Sequence, residues 1–154
     1  MASLRETYAV PTRDLYERPL ALVTGLGRER GIAASVARRL AADGWDIACT
    51  SWRAYDEKMP WGADDEGRRD VIRELESVGA FVVDVEVDLG EPAEVPALFD
   101  AVEAAAKRSV AALVLCHAES VDSDLLDTTV DSFDRHYAVN VRGSWLLIRE
   151  FALR

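Results

Sequence analysis

Apolar residues along this chain come in short blocks separated by polar turns, and the blocks alternate between strand-like and helix-like spacing. Leu20 to Val23 is an unbroken apolar run, the signature of a strand buried on both faces. A glycine-bearing turn follows, and then Ile32, Val36 and Leu40 recur at i, i+4 and i+8, predicting a helix that buries this stripe and closes at Gly44 in a left-handed cap. Asp46 to Thr50 predicts a second short strand. A polar stretch rich in aromatic residues, Ser51 to Gly67, leads to a helix on which Val71, Ile72, Leu75 and Val78 share a face before Gly79. From Phe81 to Leu89 the residues alternate: Phe81, Val83, Val85 and Val87 point one way, with Asp84, Glu86 and Asp88 pointing the other. Charges on an alternating strand suit a sheet edge, where they discourage pairing with another chain. Val95, Leu98, Phe99 and Val102 mark a third helix and Ala111 to Cys116 a fourth strand. The last helix begins near Thr128-Thr129-Val130-Asp131, a capping box with Asp in place of Glu, and runs to the end.

Four strands joined by helical crossovers predict a parallel, right-handed α/β sheet of order 3-2-1-4. Residues 1–18, with Pro11 and scattered charges, read as an arm outside the fold, and residues 19–154 as one domain. At 154 residues and 49% hydrophobic content the chain supports one ordinary core, and it carries no internal repeat. A formal net charge of -10 argues against nucleic-acid and anionic-membrane partners, so any phosphate site must be built locally. Cys49 and Cys116 each lie inside an apolar run and read as small buried hydrophobes in a reducing compartment. His117 and His136 lack partners at ligand spacing, so no metal is expected. Neither a leader-like segment nor a membrane-length apolar run occurs, and a cytoplasmic location is the expectation.

Candidate chemistry centres on the turn after the first strand. A strand that breaks at glycines and re-enters a helix lets backbone amides and the helix N-terminus grip a dinucleotide pyrophosphate. The spacing Gly25-x-Gly27-x-x-x-Gly31 matches neither Gly-x-Gly-x-x-Gly nor a P-loop. The wording Thr24-Gly25 through Arg30-Gly31-Ile32-Ala33 nevertheless resembles the Thr-Gly-x-x-x-Gly-x-Gly fingerprint of the short-chain dehydrogenase/reductases. Val87-Asp88-Leu89 is similar to that family's strand end, where an Asp and the next apolar residue contact adenine. Asn140, in Tyr137-Ala138-Val139-Asn140-Val141-Arg142-Gly143, matches its tetrad asparagine. Met59-Pro60-Trp61-Gly62 and Ser132-Phe133-Asp134-Arg135-His136 resemble a ketoacyl-carrier-protein-reductase-like subgroup. The resemblance runs from about Pro19 onward. It implies a doubly wound, Rossmann-like domain with cofactor contacts at Thr24, Gly25, Gly27, Arg30, Gly31 and Ile32, at Ser51 and Arg53, at Asp88 and Leu89, and at His117 and Ala118.

The departures matter as much. Five residues separate Gly25 from Gly31 where the family usually has three, and Ala33 replaces the third glycine. The family's Asn-Asn-Ala-Gly is Cys116-His117-Ala118-Glu119, with His117 expected to make a local hydrogen bond and Glu119 to face solvent. Ser51 lies where an NAD-preferring site carries an acid, and Arg30 and Arg53 are basic, so NADP(H) is expected over NAD(H). The alternative is that Arg28, Arg30 and Arg53 are solvated charges; Trp52, Tyr55 and Trp61 either border the adenine or cover the sheet end. No Tyr-x-x-x-Lys occurs, since Lys58 and Lys107 are the only lysines, and of the family's tetrad Asn140 alone is carried over. Three readings follow: a truncated, cofactor-binding half of a reductase inactive by itself; a non-catalytic dinucleotide-binding module; or an interaction protein that pairs with intact relatives. An uncharged fourth strand and the stripe Phe133, Tyr137, Val141, Trp145 and Ile148 predict a homo-oligomer or association through the terminal helix.

Overall fold

The computed structural model describes residues 18–154. Four parallel strands form one sheet of order β3-β2-β1-β4, comprising β1 (Leu20–Val23), β2 (Asp46–Ser51), β3 (Val82–Glu86) and β4 (Ala112–Val114). Every residue of β1 and β2 is buried, as two central strands covered on both faces require. β3 lies at one edge and is partly exposed, in keeping with its charged alternate positions. The predicted first, second and fourth strands are found, with β4 shorter than the apolar run around it.

Alternate strand residues feed two separate layers of core. Leu20, Leu22 and Ala48 pack with Val95, Leu98, Phe99 and Val102 of helix α4 (Glu94–Ala106) and Leu147 of helix α6 (Ser144–Leu153). Ala21, Val23, Ile47 and Cys49 pack on the other side, against helix α1 (Ile32–Ala42) and Val71 and Leu75 of helix α3 (Asp65–Ser77). The buried face of α1 corrects the periodic prediction. It consists of Ala33, Ala34, Ala37 and Ala41, whereas Ile32 is 76% exposed and Val36 and Leu40 are only partly covered. Small side chains let this helix approach the sheet closely, so packing distance outweighs hydrophobicity in choosing the face. At the C-terminal end of α3, Val78 is likewise exposed while Val71 and Leu75 carry the packing.

Arg18 belongs to the fold and not to an arm; the rest of the arm expected over residues 1–18 lies outside the described residues. The Arg18 side chain donates to the carbonyls of Ala41 (2.7 Å) and Trp45 (2.9 Å) and pairs with Asp46 (3.1 Å). Asp46 also pairs with Arg108 and accepts from the Phe81 amide (2.8 Å), tying three segments at the N-terminal end of the sheet.

A one-turn helix, α2 (Arg53–Asp56), interrupts the polar stretch after β2. Helix α5 (Val130–His136) is capped by Thr129, whose hydroxyl accepts from the Ser132 amide (3.1 Å); the cap thus falls one residue later than the predicted box, and Thr128 instead bonds Ser123 and the Asp124 carbonyl. Between α5 and α6 the backbone runs on as a π-helical stretch, Tyr137–Gly143. The stripe of Phe133, Tyr137, Val141, Trp145 and Ile148 along this composite helix is exposed. Among the described residues, no helix is long and apolar enough to cross a membrane and no cluster of His, Cys, Asp or Glu is arranged to hold a metal ion. Cys49 and Cys116 are free thiols, both shifted upward by burial.

Candidate dinucleotide site

A cavity of about 300 Å³ opens where the C-terminal ends of the strands meet the glycine turn. This is the crevice in which open α/β sheets bind ligands. One wall is the turn itself: Gly25, Gly27, Arg28, Gly31 and Ile32. Gly25 has a φ of +80°, and a Cβ there would stand 2.7 Å from the His117 backbone, so glycine is required both by conformation and by space. Behind the turn, the Thr24 hydroxyl accepts from the Cys116 amide (3.1 Å) and meets His117 Nδ1 (2.7 Å). His117 thus makes the expected local bond. Burial shifts its pKa down from the usual imidazole value, against a smaller opposing contribution from the Val139 backbone.

Helix α1 points its N-terminus at the cavity without a side-chain cap at Gly31 and without an acidic residue in its first turn. Its partial positive charge and orphan amides are therefore available to an anion. One buried polar atom of a lining residue, Ser51 Oγ, has no hydrogen-bond partner in the protein. Such an orphan is costly unless a bound group or water satisfies it. The donor set fits a dinucleotide phosphate with hydroxyl-bearing sugars.

The opposite wall comes from segments after β2, β3 and β4. Trp52, Tyr55 and Trp61 all border the cavity. The Tyr55 hydroxyl accepts from the Ser120 amide (3.2 Å), joining the exit of β2 to the loop after β4, and burial raises its pKa. Asp56 is buried beside Gly27 and accepts from the Trp61 indole (3.2 Å). Asp88 and Leu89 line the far side. Asp88 is held by Arg135 through two bonds, at 2.7 and 3.1 Å, and Arg135 also reaches Glu119 at 3.4 Å. Glu119 is therefore not a solvent-facing acid: its side chain is tucked under Arg135 at 10% exposure. Burial opposes the charged form of Arg135, but the bonds and charges of Asp88 and Glu119 outweigh it and raise its pKa.

Of the sequence-predicted contacts, Gly25, Gly27, Gly31, Ile32, Ser51, Asp88, Leu89, His117 and Ala118 meet at this cavity, with Thr24 behind them. Arg30 and Arg53 are not among its lining residues. Arg53 is committed to Glu57 (2.7 Å) and Asp65 on the outer surface. The arginines that do face the cavity are Arg28, whose guanidinium lies 4.2 Å from the Trp61 ring centre, and Arg135, 4.3 Å from that of Trp52. Asn140 also stands back from the lining: its amide donates to the Glu119 carbonyl (2.9 Å) and accepts from the Glu119 amide (2.8 Å), fixing the loop after β4. Sequence reasoning missed Asp56 and the role of Arg135, because neither shows a local signal; both are recruited by tertiary packing.

Comparison with known proteins gives a consistent picture. A family model described as Enoyl-(Acyl carrier protein) reductase matches residues 25–153. The chain is 33% identical over 140 residues to an NADPH-dependent aldehyde reductase-like protein of Arabidopsis thaliana, covering 88% of this chain and 50% of the relative. Among solved structures, it is similar to a short-chain dehydrogenase of Burkholderia cenocepacia in complex with NADP (TM-score 0.74, 30% identity, 90% of this chain and 50% of the other). A 3-oxoacyl-[acyl-carrier protein] reductase of Brucella melitensis gives a TM-score of 0.70 at 31% identity, with 88% and 50% covered. The chain spans about half the length of the curated relatives it matches.

Proposed function

Because the chain belongs to the short-chain dehydrogenase/reductase family, we propose that its cavity binds NADP(H) and that the chain is the cofactor-binding half of a carbonyl or alcohol oxidoreductase. The observation that carries this reading is the convergence of an uncapped helix N-terminus with the orphaned Ser51 hydroxyl on one cavity. The turn of Thr24, Gly25, Gly27, Gly31 and Ile32 holds the pyrophosphate. Ser51 bonds the adenosine ribose, Asp88 and Leu89 border the adenine, and His117 and Ala118 flank the second ribose. When bound, the nicotinamide supplies or accepts the hydride. Asn140 acts as a positioning residue through its bonds to Glu119.

NADP(H) is favoured over NAD(H) because the β2 exit carries Ser51, and because the cavity holds Arg28 without a carboxylate partner among the described residues. The chain by itself does not turn over, since it has no Tyr-x-x-x-Lys to deliver the proton. A second copy covering the exposed apolar stripe of α5, the π-helical stretch and α6 accounts for that surface.

Thermal-shift titration of the full chain tests the binding. NADPH at a hundredfold excess over its dissociation constant is expected to add about 2.7 kcal/mol of stability, with a smaller shift from NADH at equal concentration. No shift with either cofactor refutes the site, and an equal or larger shift with NADH refutes the preference. NADPH oxidation above a cofactor-only background, across a carbonyl panel, refutes the lack of turnover.

A further inference from the structure

The cavity wall beyond the glycine turn contains an ion-paired stack that bears on how a base is recognised. Arg135 donates from one terminal nitrogen to Asp88 Oδ1 at 2.7 Å and from the other to Oδ2 at 3.1 Å. Asp88 Oδ1 also accepts from the Gly90 amide at 2.8 Å, so both carboxylate oxygens are engaged inside the protein. The same guanidinium lies over the Trp52 ring, and Glu119 pairs with its remaining nitrogen. A Cβ at Gly90 would collide with the Arg135 side chain, so the backbone leaves room for this arrangement. Asp88, Arg135 and Trp52 all face the cavity.

A free carboxylate at the base position accepts a hydrogen bond from an exocyclic amino group and repels a carbonyl oxygen in its place. A carboxylate clamped by a guanidinium has lost most of that discrimination, because its charge is neutralised and three of its roughly four acceptor sites are occupied. What remains is the planar face of a stacked cation and indole, to which any purine can stack. Resting on the dinucleotide reading above, we propose that Arg135 determines base specificity. By holding Asp88 it makes the cavity recognise the purine by stacking on the Trp52 and Arg135 pair, so that amino-purine and oxo-purine dinucleotides bind alike.

The test is a fluorescence titration of the full chain with NADPH and with its deaminated analogue, reduced nicotinamide hypoxanthine dinucleotide phosphate. The unmodified chain is expected to bind the two within about threefold. Arg135→Ala, which releases the Asp88 carboxylate, is expected to prefer NADPH by tenfold or more, and the further change Asp88→Asn to bring the ratio back toward one. A tenfold preference for NADPH in the unmodified chain overturns the proposal regardless of how the variants fold. An Arg135→Ala chain with a native melting transition and an unchanged ratio also overturns it. If the unmodified chain binds neither dinucleotide, the cofactor reading itself fails and this inference falls with it; binding of both with the wrong ratio removes only the inference.

Discussion

Gly25 and Gly44 allow the steric role of the glycine turn to be measured by subtraction. Both have left-handed backbones, φ +80° and +88°, but a Cβ at Gly44 meets nothing within 4 Å, whereas one at Gly25 would lie 2.7 Å from the Cα and nitrogen of His117 and 2.9 Å from the Cys116 carbonyl carbon. Gly44→Ala therefore bears only the cost of a left-handed alanine, about 1–2 kcal/mol, offset by roughly 0.4–1 kcal/mol from the stiffer unfolded chain. Gly25→Ala bears the same contributions and also pushes the β4 exit away from β1. The atoms it meets are backbone, with no side chain that can swing aside, so overpacking adds about 1–3 kcal/mol. Urea denaturation of both variants gives the difference directly, with the conformational contributions cancelling. The Thr24 and His117 bonds that link the two strand ends should weaken as well, so NADPH affinity should fall for Gly25→Ala alone. A Gly25→Ala chain as stable as Gly44→Ala would show that the β4 exit is free to move, and that the turn is not fixed by this approach.

Asp46→Ala should cost about 3 kcal/mol, the lower end for breaking a buried ion pair, because Arg18 and Arg108 remain about 30% exposed at their side chains; urea midpoints measure it. Asn140→Ala removes two bonds to the Glu119 backbone and should cost about 1–3 kcal/mol while weakening NADPH binding, whereas loss of stability with unchanged affinity would confine Asn140 to folding. His117 has a lowered pKa in the fold, so below the unfolded value of about 6.5 the unfolded chain binds the extra proton first. Stability should fall on acidification through that window, by at most about 1.4 kcal/mol per pH unit, and level off below the folded pKa; His117→Asn should remove this part of the slope in denaturation series between pH 5 and 8. In size-exclusion chromatography the chain should elute as an oligomer or aggregate, and Trp145→Glu should shift it toward monomer; an unmodified chain that elutes as a dye-negative monomer contradicts the association.

The sheet was legible because β1, buried on both faces, is a continuous apolar run and β2 carries a shorter one, Ile47 to Cys49, and because the glycine turn after β1 and Gly44 before β2 punctuate them. The glycine turn, the β3 exit and the residues after β4 were legible for the same reason: each sits at a strand end whose position the pattern sets. Faces and partners were not. The buried side of α1 is made of alanines that a hydrophobicity count passes over in favour of Ile32, and Arg135 gains its role only when α5 is laid beside Asp88. Arg30 and Arg28 are two residues apart in one turn, and which of them faces the cavity depends on the backbone path through five residues and on the Trp61 ring, neither of which has a local signature. The π-helical register around Asn140 left no mark in the periodicity either.

Because alternate strand residues divide the interior into two layers that share no side chains, the cleft is bordered by two separately packed layers on one sheet. Ala33 belongs to one layer, and Val87 and Leu89 to the other, yet all three border the same cleft. Leu75 packs in one layer and Phe99 in the other. Substitutions at these distant positions should add in stability to within about 0.5 kcal/mol, but they act on a single gap, so their effects on ligand affinity should compound where their effects on folding remain independent.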